Sequence, residues 1–92
     1  MGIKKLNYMK FTDIKFNQHD SRKWARVNLD NGLEISIVRN EASYGNQDGR
    51  YEMGVFKNGR LFEIEKWQDC VKGWLSPSCV EKELEHLMQL ED

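Results

Sequence analysis

The sequence predicts an α+β domain: a four- to five-stranded antiparallel sheet with one short and one longer C-terminal helix packed on one face. Three observations lead there. Two stretches alternate apolar and polar residues around the turn dipeptides Asn31-Gly32 and Asn58-Gly59. Helical periodicity gathers at the C-terminal end, after Ser76-Pro77. And 92 residues are too few to build two hydrophobic cores, so 1–92 reads as a single domain, with 1–8 as a flexible N-terminal extension ahead of Met9.

Taken in order, the first element is a strand within Met9–Phe16, suggested by Ile14 and Phe16. In the first hairpin Ala25, Val27 and Leu29 alternate up to the turn, and Leu33, Ile35 and Ile37 alternate after it. A two-residue loop would set apolar residues opposite polar ones. A three-residue loop, Asp30-Asn31-Gly32, pairs Leu29 with Leu33, Val27 with Ile35 and Ala25 with Ile37, giving one apolar face. In the second hairpin a two-residue Asn58-Gly59 loop pairs Val55 with Phe62 and Met53 with Ile64, directing these four and Tyr51 to the core and Phe56 and Leu61 to the opposite face. Trp67, Val71, Trp74 and Leu75 suggest a short helix ended by Gly73. Ser76 as N-cap and Pro77 at the first helical position then open a longer helix, on which Val80, Leu84, Leu87 and Met88 share one face.

Composition excludes several classes. Hydrophobic content of 39% is too rich for a disordered chain. No apolar run approaches the roughly 20 residues of a membrane span, and no apolar stretch follows Lys4 and Lys5 as a signal peptide requires. No membrane role and a cytoplasmic setting are expected, with Cys70 and Cys79 as reduced thiols. Their spacing matches no zinc pattern and the histidines, His19 and His86, are remote, so no metal or other cofactor is expected. No nucleophile, base and orienting group fall into a recognisable constellation, so no catalytic residue is assigned and the protein is expected not to be an enzyme.

The net charge of −1 conceals a polarity. Residues 1–28 carry seven bases against two acids, whereas residues 62–92 carry eight acids against three bases. Either the two halves attract each other within the fold, or the polarity steers a charged partner.

Binding candidates lie on two surfaces. Trp24, Val38, Phe56 and Leu61 all point away from the helix in the registers above, and large apolar groups on an outer face mark a contact unless another part of the chain covers them. The irregular stretch Asn40–Arg50 contributes Tyr44, since loops carry function disproportionately. The partner would be another protein or a second copy of the chain, giving a homodimer. The alternative is nucleic acid, with Trp24 stacking a base while Lys23 and Arg26 contact phosphate.

Met9-Lys10-Phe11-Thr12-Asp13, Leu29-Asp30-Asn31-Gly32-Leu33, Ile35-Ser36-Ile37-Val38-Arg39, Ser43-Tyr44-Gly45, Asp48-Gly49, Tyr51-Glu52 and Gly73-Trp74-Leu75-Ser76 with Val80-Glu81 occur in that order. In this order of motifs the chain, from about Met9 to Leu90, resembles a family of short uncharacterised proteins of tailed bacteriophages. It departs from them at Pro77-Ser78-Cys79, in place of an acidic opening turn, and at Trp74, where a tyrosine is usual. The resemblance implies a phage accessory protein in the host cytoplasm. Such a protein binds a bacterial host protein, for example to inhibit a defence system such as CRISPR or restriction, or serves phage assembly. It carries over no catalytic residues.

Overall fold

The computed structural model describes residues 9–20, 22–39 and 50–90. Among them one antiparallel sheet holds six strands: β1 (Asn17–His19), β2 (Arg22–Asn28), β3 (Leu33–Arg39), β4 (Tyr51–Lys57), β5 (Arg60–Leu61) and β6 (Val71–Leu75). The order runs β1-β2-β3-β4, and β5 and β6 then share the far edge of β4, one at each end. A single helix, α1 (Pro77–Met88), follows, and a 3-10 turn spans Phe11–Asp13.

The two turns behave as their residues require. Val27 faces Ile35 and Ala25 faces Ile37. The Leu29 N–H donates to the Leu33 carbonyl at 2.8 Å, and Gly32 takes φ +89, a value a side chain resists. The second hairpin pairs Lys57 with Arg60 and Phe56 with Leu61. This leaves Asn58 and Gly59 at φ +54 and +79, the left-handed pair that a two-residue turn needs.

Inward-facing residues of the sheet (Ala25, Val27, Leu33, Ile35, Ile37, Tyr51, Met53 and Val55) are buried against Val80, Leu84 and Leu87 of α1. Ile14, Ile64 and Leu75 complete this core, each fully buried aliphatic side chain contributing roughly 1.5–3 kcal/mol relative to exposure. The helix starts where its sequence says, with the Ser76 hydroxyl accepting from the Cys79 N–H at 3.3 Å and Pro77 next to it. Its other end is held by the first hairpin. The Asn31 carboxamide donates to the Leu87 and Leu90 carbonyls at 2.7 and 2.8 Å, satisfying acceptors that a helix terminus leaves open.

Three expectations are corrected. The strand within Met9–Phe16 is absent: residues 11–13 form the 3-10 turn, whose Phe11 N–H donates to the Glu81 carboxylate of α1. Phe11 and Phe16 pack on the Tyr51 ring at 5.2 and 5.5 Å. Burying Ile14 takes this segment beneath the inner face, so pairing with β2 begins only at Asn17. The short helix is also absent, because Val71–Leu75 forms β6. The two-residue β5 leaves the rest of the β4 edge with backbone groups that need partners, and β6 supplies them. For the same reason Met53 does not pair with Ile64. The Phe62 N–H still bonds the Val55 carbonyl at 2.9 Å, but Ile64 then bridges to Asp69 while Met53 faces Lys72.

Candidate functional site

The strand registers lay out the outer face, the one away from α1, in rows. Asn28, Glu34, Phe56 and Leu61 form the first; Arg26, Ser36, Gly54 and Val71 the second; Asn17, Trp24, Val38 and Glu52 the third. Antiparallel pairing puts directly opposed residues on one face, so these rows follow from the pairing itself. The structure therefore brings Trp24 beside Val38 and Phe56 beside Leu61, but as two clusters at opposite ends of the face. Tyr44 lies outside the described residues. The N-terminal segment from Met9 to Phe16 runs under the inner face, so among the described residues it is no cover for the outer one.

The two clusters differ in what already surrounds them. Trp24 is half-buried, with the Arg22 guanidinium 5.1 Å from its ring centroid. Arg22, Lys23, Trp24 and Val38 line a cleft of about 250 Å³ at this end. Arg26 is occupied elsewhere: its guanidinium pairs with the Glu34 carboxylate and lies 5.2 Å from the Phe56 ring. Phe56 is half-buried by Arg26 and by folding over Gly54, where a Cβ would lie 3.8 Å from its ring.

Leu61 and Trp74 are the large apolar side chains left most open, 61% and 59% exposed. Trp74 was not legible as a surface group, since its spacing from Trp67 and Val71 imitated a helix face. In the structure it belongs to an irregularity of β6. Tyr51 faces Leu75 and Met53 faces Lys72, so the two residues Gly73 and Trp74 lie opposite the single residue Glu52. Trp74 adopts φ +62, a left-handed backbone that bulky residues rarely take. Glu52, between Val38 and this bulge, has its carboxyl pushed above the ordinary value by burial.

Acidic groups continue at this end. Glu63, Glu65 and Gln68 line a shallow hollow of about 430 Å³. Among the described residues no three His, Cys, Asp or Glu side chains gather as metal ligands. No described helix is long and apolar enough to cross a membrane. The outer face thus has a basic, aromatic end at β2 and an acidic, apolar end at β4–β6. Comparison of the chain with family models, with curated proteins and with solved structures found no match.

Proposed function

We propose that this chain acts without catalysis, as a binding protein that docks a bacterial host protein through the outer face of its sheet. The carrying observation is that Leu61 and Trp74, both about 60% exposed, lie on a sheet that α1 covers from the other side only, among the described residues. Exposed aromatic and aliphatic groups rimmed by charge are the usual anchors of such contacts. The resemblance to phage proteins supports a host partner in the bacterial cytoplasm, and occlusion of a defence enzyme, of the CRISPR or restriction kind, as the use of the contact. Affinity capture from nuclease-treated bacterial lysate tests it, with wild type compared against Leu61→Asp and Phe56→Asp. One stoichiometric host protein, lost in both variants while their circular dichroism stays native, is the expected result. Capture that is unchanged in both variants overturns this surface, and a concentration-dependent dimer in sedimentation, abolished by Leu61→Asp, replaces the host protein by a second copy.

A second reading is favoured by one feature, the cleft of Arg22, Lys23, Trp24 and Val38, which offers a ring for a base beside two cations for phosphate. With about three phosphate contacts, the affinity for a short single strand would fall with a slope of about −2 in log K against log salt. Absence of binding at low salt removes this reading.

A further inference from the structure

We propose that Glu52 and Trp74 together form a receptor for a basic side chain, an arginine or lysine presented by the docked polypeptide. The proposal rests on the docking reading and names the chemistry of its occupant.

Three features of the β4–β6 end converge on it. The first is Glu52 itself. It lies on the outer face in register with Val38 and the β6 bulge, and no hydrogen bond or ion pair reaches its side chain. Burial alone pushes its carboxyl pKa up. A carboxylate partly removed from water and given no partner is destabilising in the free protein, and a cation brought by a partner relieves that. The second is Trp74, 59% exposed on a left-handed backbone at φ +62. Bulges re-aim side chains, and strained backbone at an exposed aromatic is retained where the side chain is used. Because Gly73 and Trp74 oppose Glu52 on the neighbouring strand, the indole and the carboxylate share one locality about one strand spacing, roughly 4.8 Å, apart in backbone. A carboxylate beside an aromatic ring is the pairing that a guanidinium satisfies best, by charged hydrogen bonds and by stacking on the π face.

The third feature is the sign of the surroundings. Glu63 and Glu65 line the hollow on the same side of the molecule as β5 and the approach to β6. The arginines of the outer face are committed elsewhere, Arg22 to Trp24 and Arg26 to Glu34 and Phe56. No cation of the described chain fills the acidic end. Phosphate would be repelled there, which makes a polypeptide the occupant at this end.

The direct test is a nitrogen-15 NMR titration of the intact chain with a capped Gly-Arg-Gly peptide, and with its neutral citrulline counterpart. Expected are shifts of the Trp74 indole N–H and the Glu52 amide with the arginine peptide, and none with citrulline. Glu52→Gln should weaken the response at least about tenfold, the worth of one charge-assisted contact. Association should also decline as pH falls through the raised pKa of Glu52, because the protonated carboxyl no longer pairs. Equal response to citrulline, or an undiminished response in Glu52→Gln, overturns the proposal.

Stability supplies an independent reading in the same variants. A carboxyl whose folded-state pKa is raised contributes stability at low pH that is lost as pH rises through that pKa. Glu52→Gln should therefore raise the melting temperature at neutral pH and leave it unchanged below the ordinary carboxylate range. Trp74→Asn, a residue tolerant of left-handed backbone, should raise it by a few degrees while abolishing the peptide response. Lower melting temperatures in both variants would show that the pair is structural and overturn the receptor. The two readings fail separately. Host-protein capture lost in Leu61→Asp but kept in Glu52→Gln leaves docking standing and removes the receptor. An arginine-dependent titration at Glu52 and Trp74 with no host protein captured supports the receptor and removes the docking reading.

Discussion

Asn31 does more than shape a turn. Its carboxamide oxygen accepts from the Leu33 N–H at 3.2 Å while its nitrogen donates to both Leu87 and Leu90 carbonyls, so one side chain joins the first hairpin to the end of α1. Asn31→Ala leaves two part-buried carbonyls without these donors and should cost about 1–3 kcal/mol in urea denaturation. Asn31→Asp should cost more at neutral pH, because a carboxylate would face two carbonyl oxygens at the negative end of the helix, and should regain part of the loss in acid. The cysteines allow a second residue-level prediction. The Ser76 hydroxyl and backbone hold the Cys79 thiol below its ordinary pKa, whereas burial and the Asp69 carboxylate push that of Cys70 up. Both thiols are half-buried and free, so exposure does not separate them. At neutral pH more of Cys79 is thiolate, and mass-resolved iodoacetamide labelling should modify it first, with the difference narrowing as pH rises past both values.

Elements were legible where turn chemistry and alternation agreed, and obscure where a strand is made by the needs of its neighbour. Asn31-Gly32 and Asn58-Gly59 state their loop lengths through the apolar pairs on either side, and Ser76-Pro77 states a helix start; all three stand in the structure. β6 carries no such signal. Gly73 weakens strand propensity, Trp74 takes a backbone that breaks the alternation, and Lys72 points inward to an acid of α1 rather than to solvent. That contact is the reason a lysine can occupy an inner position. Glu83, buried on α1, accepts from the Trp67 indole N–H at 2.8 Å and lies 3.7 Å from the Lys72 ammonium, tying the helix to β6 and to the turn before it. Glu83→Gln keeps an acceptor for Trp67 and loses only a partly exposed ion pair, so thermal denaturation should show a loss under about 1 kcal/mol. Glu83→Leu strands the indole N–H and should cost about 1–3 kcal/mol. The outer-face site has the same limit. Trp24, Val38, Phe56 and Leu61 could be assigned to a face from parity alone, but their division into two clusters, and the pairing of Glu52 with the Trp74 bulge, needed the cross-strand register.

For the molecule as a whole, the asymmetry of charge along the sequence is not spent on holding the fold together. Among the described residues no ion pair joins a base of residues 9–28 to an acid of residues 62–90; the pairs formed are local, Arg26 with Glu34, Lys72 with Glu83, and His19 with Asp20. The N-terminal segment meets α1 through a backbone N–H on Glu81 and through the packing of Phe11 and Phe16 on Tyr51, contacts in which a lysine or arginine plays no part. Stability should accordingly depend little on salt. Between about 0.05 and 0.5 M sodium chloride the unfolding free energy from urea titration should change by less than about 1 kcal/mol, since exposed local pairs are individually weak and screened. Association should behave differently. If the basic β2 end and the acidic β4–β6 end of the outer face orient an incoming partner, the association rate falls with salt across the same range while the dissociation rate, set by Leu61 and Trp74, stays nearly constant. Stopped-flow measurement with the captured host protein separates the two rates. A dissociation rate that climbs with salt as steeply as the association rate falls would mean that ion pairs rather than the apolar anchors hold the complex, and would move the centre of the contact from Leu61 toward Glu52.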